Sequence, residues 1–478
     1  MSESENLKSK TVSGVLWSAV ERFSLQGVQF VINIIMARLL LPVDYGMIGM
    51  LAVFLQISQT FIDGGFTNAL IQRKDRTEVD FSTVFYFNII IAFIFYVLIF
   101  FSAPLIADFY NMPGLVNVAR VIALSLLISS LSAIHKIKLT INIDFKTQSK
   151  ISLTAALISG IVGIWMAYEN VGVWALVTQI LINSVLQTIL YYFFLHWFPL
   201  KIFSLKSFKI LFSFGSKLLV SSLIHTVYYN LYSIVIGKRF SAADLGYYTR
   251  AEQFAVFPSS NVNSIISRVT FPILSSIQDD DERLASVYRK YIRLASFIIF
   301  PLMIGLAVLA KPLIILLLTE KWLGIVVLLQ ILCLDWMLDH LSIINLNLLY
   351  VKGRSDWALR LEIVKKIIAT TILFSSIPFG IIGMCWGRVV YALIATYLNT
   401  RYTKSLIGLS FTTQIKDIFP SLIIAILMGG IVYSSTVFFS SAILQLFVGF
   451  VVGAGCYIAV SLAFKMDSLH ELLSLIRK

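Results

Sequence analysis

Fourteen apolar stretches follow one another along this chain, and little but short polar turns separates them. They lie at roughly 13–37, 43–66, 81–106, 115–134, 150–168, 172–195, 208–236, 244–272, 292–310, 322–349, 357–377, 380–400, 418–436 and 441–464. A helix needs about 20 residues to cross the hydrocarbon core of a bilayer, and backbone in lipid must satisfy its own hydrogen bonds. Runs of this length therefore point to helices. Charged residues make up 13% of the chain and mean hydropathy is +0.87, whereas a soluble domain is about 25% charged. The expected fold is an all-α polytopic membrane protein with about 14 transmembrane helices. The spans use nearly all of the 478 residues, which leaves no room for a large soluble domain.

The net charge of +13 would suggest nucleic acid in a soluble chain. Here the bases sort by side. With the N-terminus inside, the inside segments hold twenty-five Lys and Arg, and the outside loops hold five: Arg38, Lys238, Arg239, Lys311 and Lys321. One missed span would swap every later loop and spoil that asymmetry. The bias thus predicts an even number of spans and both termini in the cytoplasm. The polar N-terminus "MSESENLKSK" carries no cleavage-type signal. Nucleic acid is not an expected partner.

An internal repeat sets the domain plan. "ARLLLPVDYG" (37–46) and "GKRFSAADLG" (237–246) align at an offset of 200, with Arg38, Asp44 and Gly46 against Lys238, Asp244 and Gly246. Each falls on the outside turn between the first two helices of a half. "NVGVWALV" (170–177) and "IIGMCWGRVV" (381–390) each open a sixth helix. The plan is an N-lobe of helices 1–6 (1–200), a C-lobe of helices 7–12 (201–404), and helices 13–14 with a cytoplasmic tail (405–478). A repeat with an even helix number keeps its orientation, so the lobes are expected to be pseudo-symmetric about the membrane normal.

Charges inside spans are expensive, about 2.5–3.5 kcal/mol each at the centre on insertion scales, so they face a wet cavity or a partner. Spacing says which way they face. Ser18, Arg22, Gln26, Gln29 and Asn33 form one polar stripe on helix 1. Lys217, Ser221, His225, Tyr228 and Tyr232 form another on helix 7, and Gln56, Thr60, Asp63 and Thr67 a third on helix 2. Helix 8 offers Arg250, Gln253, Asn261, Ser264 and Arg268, with Pro258 expected to bend it. The first and second helices of both halves are expected to line one water-filled cavity. Arg22, Lys217 and Arg250 are its basic candidates. Glu21 points about 100° away from Arg22 and is expected to pair within its own half.

Arg120, Arg268, Lys365, Lys366 and Arg388 either face a cavity or lie near helix ends and snorkel to the interface. Asp63 is a candidate proton or cation site, although "DGGF" also suits a helix end. Asp335 and Asp339, four apart and on one face of helix 10, are coupling-ion candidates or structural partners of a base. A basic cavity calls for an anion, and Arg suits phosphate. Tyrosines such as Tyr228 suit sugar rings or form an interfacial belt.

The chain has no Walker A motif, no Gly-rich phosphate loop, no HExxH and no Cys/His cluster. Cys333, Cys385 and Cys456 are far apart in apolar runs, which suggests neither disulfides nor a metal site. The outside turns are too short for a glycosyl-transfer site. Neither a catalytic residue nor a cofactor is expected.

"WSAVERFSLQGVQFVINIIMARLLLPVDYG", "DGGFTNALIQRK", "GYYTRAEQFAVFP" and "ISRVTFPILSSIQDDDERLASVYRKYIRLASFIIFPL" resemble the polysaccharide-transporter branch of the multidrug/oligosaccharidyl-lipid/polysaccharide exporter superfamily. The likeness is to Wzx-type O-antigen or capsule flippases, often called lipopolysaccharide biosynthesis proteins, and runs from about Lys8 to Leu462. It implies a two-lobed flippase in the bacterial cytoplasmic (inner) membrane. Such a protein moves an undecaprenyl-pyrophosphate-linked oligosaccharide across by alternating access. Ion coupling, to H+ or Na+, is also implied. By analogy with related lipid II flippases, Arg22 and Arg250 bind the pyrophosphate; Lys217 joins them from its stripe alone. Membrane lipids and glycan polymerase machinery are the further expected partners. The alternatives are a small-molecule exporter of the same superfamily, a lipid II flippase, and a polymerase or ligase enzyme.

Overall fold

The structure is a computed structural model that describes residues 23–476. Every regular element among these residues is a helix. Helix α1 covers Phe23–Leu39 and α2 Pro42–Asp63; a turn at Gly64 and Gly65 leads into α3, Phe66–Gln72. There follow α4 (Glu78–Tyr110), α5 (Leu115–Ile122), α6 (Leu124–Ile141), α7 (Phe145–Tyr168), α8 (Val173–Leu195), α9 (Leu205–Tyr229), α10 (Leu231–Arg239) and α11 (Ala242–Ser276). The remainder comprises α12 (Asp281–Val308), α13 (Ala310–Leu318), α14 (Ile325–Trp336), α15 (Asp339–Val351), α16 (Ser355–Ser376), α17 (Gly380–Ile407), α18 (Phe411–Thr436), α19 (Ala442–Ala463) and α20 (Asp467–Ile476).

Among the described residues, 11 helical stretches are long and apolar enough to cross a membrane. One of them, residues 355–407, holds two helices each long enough to span, α16 and α17. Helix α1 is a shorter apolar helix, and α11 falls outside the 11 although it is 35 residues long. Each of the fourteen expected spans thus finds a helix, and the chain is an all-α polytopic membrane protein.

Two compact units divide the chain, one ending at Gly246 and the other starting at Tyr247. The boundary falls within α11. The division at residues 200 and 404 follows the repeat rather than compactness and stays an expectation.

Within the first unit, α7 packs along α8, and α6 against α4 and α8. The buried face of α7 is small: Ala155, Ala156, Ser159, Gly160 and Gly163. Its outer face carries Leu157, Ile158, Ile161 and Trp165, all exposed. The second unit repeats this logic where α18 packs on α19. Gly449, Gly453, Tyr457 and Ser461 of α19 are buried, while Phe447 and Phe450 are 67% and 75% exposed. Lipid tails are as apolar as Leu, so close van der Waals contact between small residues holds such helices together, and the large apolar side chains face lipid.

The repeated turns explain their own residues. Asp44 Oδ2 accepts from the Leu41 backbone N–H at 2.9 Å, and Asp244 Oδ2 accepts from the Ser241 N–H at 3.1 Å and its hydroxyl at 2.7 Å. Both aspartates satisfy an orphan donor at a helix N-terminus. The glycines have another task. A Cβ on Gly46 would overlap the Ala242 carbonyl, and one on Gly246 the Pro42 carbonyl. Since 42 and 242 are equivalent in the repeat, as are 46 and 246, the contact is reciprocal. Lys238 Nζ donates to the Phe109 carbonyl at 2.6 Å, at the C-terminal end of α4, where cations complement the helix dipole.

Among the described residues, three expected helices are broken: the fourth, into α5 and α6 at Ala123, and the tenth and the seventh. The tenth gives α14 and α15, with the interruption at Met337 and Leu338. Asp335 and Asp339 therefore lie on two consecutive helices rather than on one. The freed Trp336 carbonyl accepts from Ser259 Oγ of α11 at 2.9 Å, so a tertiary contact, not a Pro or Gly, supports the break. The seventh gives α9 and α10. There Asn230 Nδ2 donates to the Thr226 carbonyl at 2.8 Å and to Gln56 Oε1 at 2.8 Å. Tyr232 consequently lies beyond the helix that carries the rest of its stripe.

Candidate functional site

The polar stripe expected on helix 2 runs along α2 and α3, and it faces α9. Asn230 meets Gln56, as above, and Thr60 Oγ1 lies 3.2 Å from Thr226 Oγ1. Below that contact a cavity of about 640 Å³ opens between the two walls. Thr60, Asp63 and Asn68 line it from one side, and Ser222, His225 and Thr226 from the other. Drug-sized ligands occupy clefts of about 300–1,000 Å³. Gln59 Nε2 donates to Asp63 Oδ1 at 3.1 Å. The His225 ring stacks on Tyr229, with centroids 6.1 Å apart and planes 10° apart. Among the described residues that line the cavity there is no Lys or Arg.

At one end the walls touch. A Cβ on Gly65 would overlap the Gly215 carbonyl, so the α2–α3 turn and α9 meet backbone to backbone. Gly64 and Gly65 both have positive φ, 52° and 72°, which glycine adopts without steric cost. The "DGGF" stretch is thus a helix break, and Asp63 stands beside it at the cavity wall.

The second unit contains a different polar centre. Arg388 of α17 donates from Nε to Asp335 Oδ2 at 2.8 Å, and from Nη1 to Glu252 Oε1 and the Tyr248 hydroxyl, both at 2.6 Å. The side chains of Arg388, Glu252 and Asp335 are 14%, 19% and 12% exposed. Arg388 does not snorkel. It lies well inside its helix and ties α17 to α14 and α11. Asp335 is its partner, the structural role weighed for it. Lys365 is also buried, paired with Glu362 at 2.5 Å. Asp339 accepts from Asn263 Nδ2 at 3.0 Å and takes part in no ion pair among the described residues.

The basic candidates fall apart from these two centres. Arg22, with Glu21, lies outside the described residues. Lys217 is exposed on α9, one position from the cavity-lining Leu218. Arg250 is half-buried and donates to Gln253 Oε1. On α1, Gln29 is exposed and Gln26 and Asn33 are half-buried, with Gln26 Oε1 buried and unbonded. Tyr228 is half-buried. Sequence reasoning missed Ser222 and Thr226. Their signal was present, since Ser222, Thr226 and Asn230 recur every four residues beside the Lys217 stripe.

The comparisons with known proteins point one way. A family model described as "Polysaccharide biosynthesis protein" matches residues 35–327. The chain is 28% identical to the teichuronic acid biosynthesis protein TuaB of Bacillus subtilis (strain 168), over 95% of each chain. It is 27% identical to the lipopolysaccharide biosynthesis protein WzxC of Escherichia coli (strain K12), covering 89% of this chain and 88% of that one. Among solved structures it is similar to the lipid II flippase MurJ in an inward closed conformation, with TM-score 0.77, 14% identity, and coverage of 95% of this chain and 100% of that one. At such identity the structural likeness shows the fold. The family model spans well over half of the residues, and the chain belongs to the polysaccharide biosynthesis protein family.

Proposed function

We propose that this chain is a flippase that carries an undecaprenyl-pyrophosphate-linked oligosaccharide across the bacterial cytoplasmic membrane by alternating access. The observation that carries this reading is a polar cavity of about 640 Å³ walled by helices long and apolar enough to span a bilayer. Polar residues on such helices are costly in lipid and mark a substrate path. The names of relatives support the same reading: one is a teichuronic acid and another a lipopolysaccharide biosynthesis protein.

In this proposal both termini are cytoplasmic, and the chain is a transporter, not an enzyme. Arg22, Lys217 and Arg250 hold the pyrophosphate through charge-assisted bonds, with Gln26, Gln29, Asn33 and Tyr228 nearby in sequence register. Coupling to H+ or Na+ belongs to the proposal as well. Of the named carboxylates, Asp339 suits that role better than Asp335, which Arg388 already neutralises. Glycan polymerase machinery is the proposed downstream partner.

The test is genetic and chemical together. In the source bacterium, removal of the gene is expected to abolish a surface polysaccharide and to accumulate its lipid-linked repeat unit in the cytoplasmic leaflet, with drug tolerance unchanged. Intact polysaccharide with lowered drug tolerance would favour a small-molecule exporter and overturn the proposal.

A further inference from the structure

Building on the flippase reading, we infer that the cavity between α2–α3 and α9 is the saccharide subsite, shaped for an uncharged or amino-bearing sugar and not for the pyrophosphate. The lining residues have the matching chemistry. Gln59 engages one oxygen of Asp63, and the other can accept a sugar hydroxyl in a charge-assisted bond. Thr60, Ser222 and Thr226 present hydroxyls that both donate and accept, and Asn68 presents an amide that does the same. A sugar hydroxyl also has both roles, so a set of mixed donors and acceptors satisfies it better than a row of bases. The His225 ring at the cavity wall gives a flat face for the apolar side of a pyranose, and Tyr229 stacks beside it.

The same set rejects an anion. A phosphate here would meet the like charge of Asp63, and no Lys or Arg stands in the described lining to bind it. Pyrophosphate and sugar are thus sorted to different places on one substrate. The location fits as well. Asp63 comes ten residues before Arg73, whose loop also carries Lys74 and Arg76, the loop that the charge bias assigns to the cytoplasm. A glycan built on a lipid carrier in the cytoplasm meets this end of α2 first.

Single cysteines at Ser222 and Thr226 test the assignment in purified full-length protein. Cys456→Ser removes the natural thiol that is not buried; Cys333 and Cys385 are buried. The readout is the rate of modification by a small charged thiol reagent, with three probes added in turn. The probes are lipid-linked oligosaccharide extracted from the producing strain, undecaprenyl pyrophosphate without sugar, and NaCl. The first probe is expected to slow modification at least about tenfold, and the other two to leave it unchanged. Asp63→Asn is expected to raise the half-protecting concentration about tenfold, as loss of a hydrogen bond to a charged group does. Equal protection by the sugar-free lipid, protection by Na+ alone, or none from the oligosaccharide overturns the saccharide assignment. Native mass spectrometry of the same mixtures keeps the two readings apart. Bound oligosaccharide lipid without thiol protection removes the subsite and leaves the flippase reading intact, whereas absence of any bound oligosaccharide lipid removes the flippase reading itself.

Discussion

Gly46 and Gly246, two hundred residues apart, each press against the backbone of the turn that carries the other. Gly46 abuts Ala242, and Gly246 abuts Pro42. A side chain at either glycine must push the turns apart, at a cost of about 1–3 kcal/mol for overpacking. Once the turns have separated, a second intrusion meets space already made. Gly46→Val and Gly246→Val are each expected to lower the melting temperature of the detergent-purified protein. The double variant is expected to fall well short of the sum, because residues in one contact are not additive. A thermal-shift cycle over the four proteins checks this; additive losses would contradict the reciprocal contact.

The aspartates of the same turns act locally. Asp44→Ala and Asp244→Ala each remove an acceptor at a helix start, worth about 1 kcal/mol. Asp244 also binds the Ser241 hydroxyl, so its loss is expected to be the larger. Thermal scanning of the two variants ranks them, and Asp44→Ala as the more damaging would reverse the expectation.

Arg388 holds two carboxylates away from water, so its removal strands both. Arg388→Met is expected to cost about 3–5 kcal/mol, the range for breaking a buried ion pair from one side. The triple variant Arg388→Met, Asp335→Asn, Glu252→Gln leaves no stranded charge and is expected to recover much of the folded yield. Size-exclusion profiles and melting temperatures separate the two cases. Equal loss in both would mean that the charges do more than neutralise one another.

The basic positions are expected to act on substrate, not on folding. Lys217→Ala and Arg250→Ala should each lower surface glycan several-fold while the amount of protein in the membrane stays normal, since an interaction with a charged group contributes about 1.5–3 kcal/mol. Quantifying glycan and protein in the same cells checks this. Full glycan from both variants would remove the head-group role.

Much of this was legible in the sequence, because lipid imposes simple rules. Length and polarity alone located a helix at each expected span, α11 included, although its many polar residues leave it outside the 11 stretches apolar enough to cross a membrane. The repeat identified Asp44, Gly46, Asp244 and Gly246, though not that the two glycines meet, since turn spacing carries no information on tertiary contact. Periodicity found the α2 wall of the cavity. On α9 it found Ser221 and His225, which line the cavity, but not Ser222 and Thr226 beside them, because a lysine draws attention that small polar residues do not. The α14–α15 break was invisible: no Gly or Pro marks Met337 and Leu338, and the Ser259 bond that supports it comes from another helix. Arg388 was ambiguous for a related reason. Its partners lie 53 and 136 residues away in sequence, and no local pattern links them.

The most direct measurement is transbilayer movement of the substrate in liposomes. Purified protein is reconstituted with fluorescently tagged lipid-linked oligosaccharide from the producing strain, and a membrane-impermeant quencher is added outside. Without protein, about half of the signal is expected to remain, from the inner leaflet. With protein, and with an H+ or Na+ gradient imposed, the protected fraction is expected to move away from half in the direction of pumping. A protected fraction that stays at the protein-free level under both gradients would contradict the account.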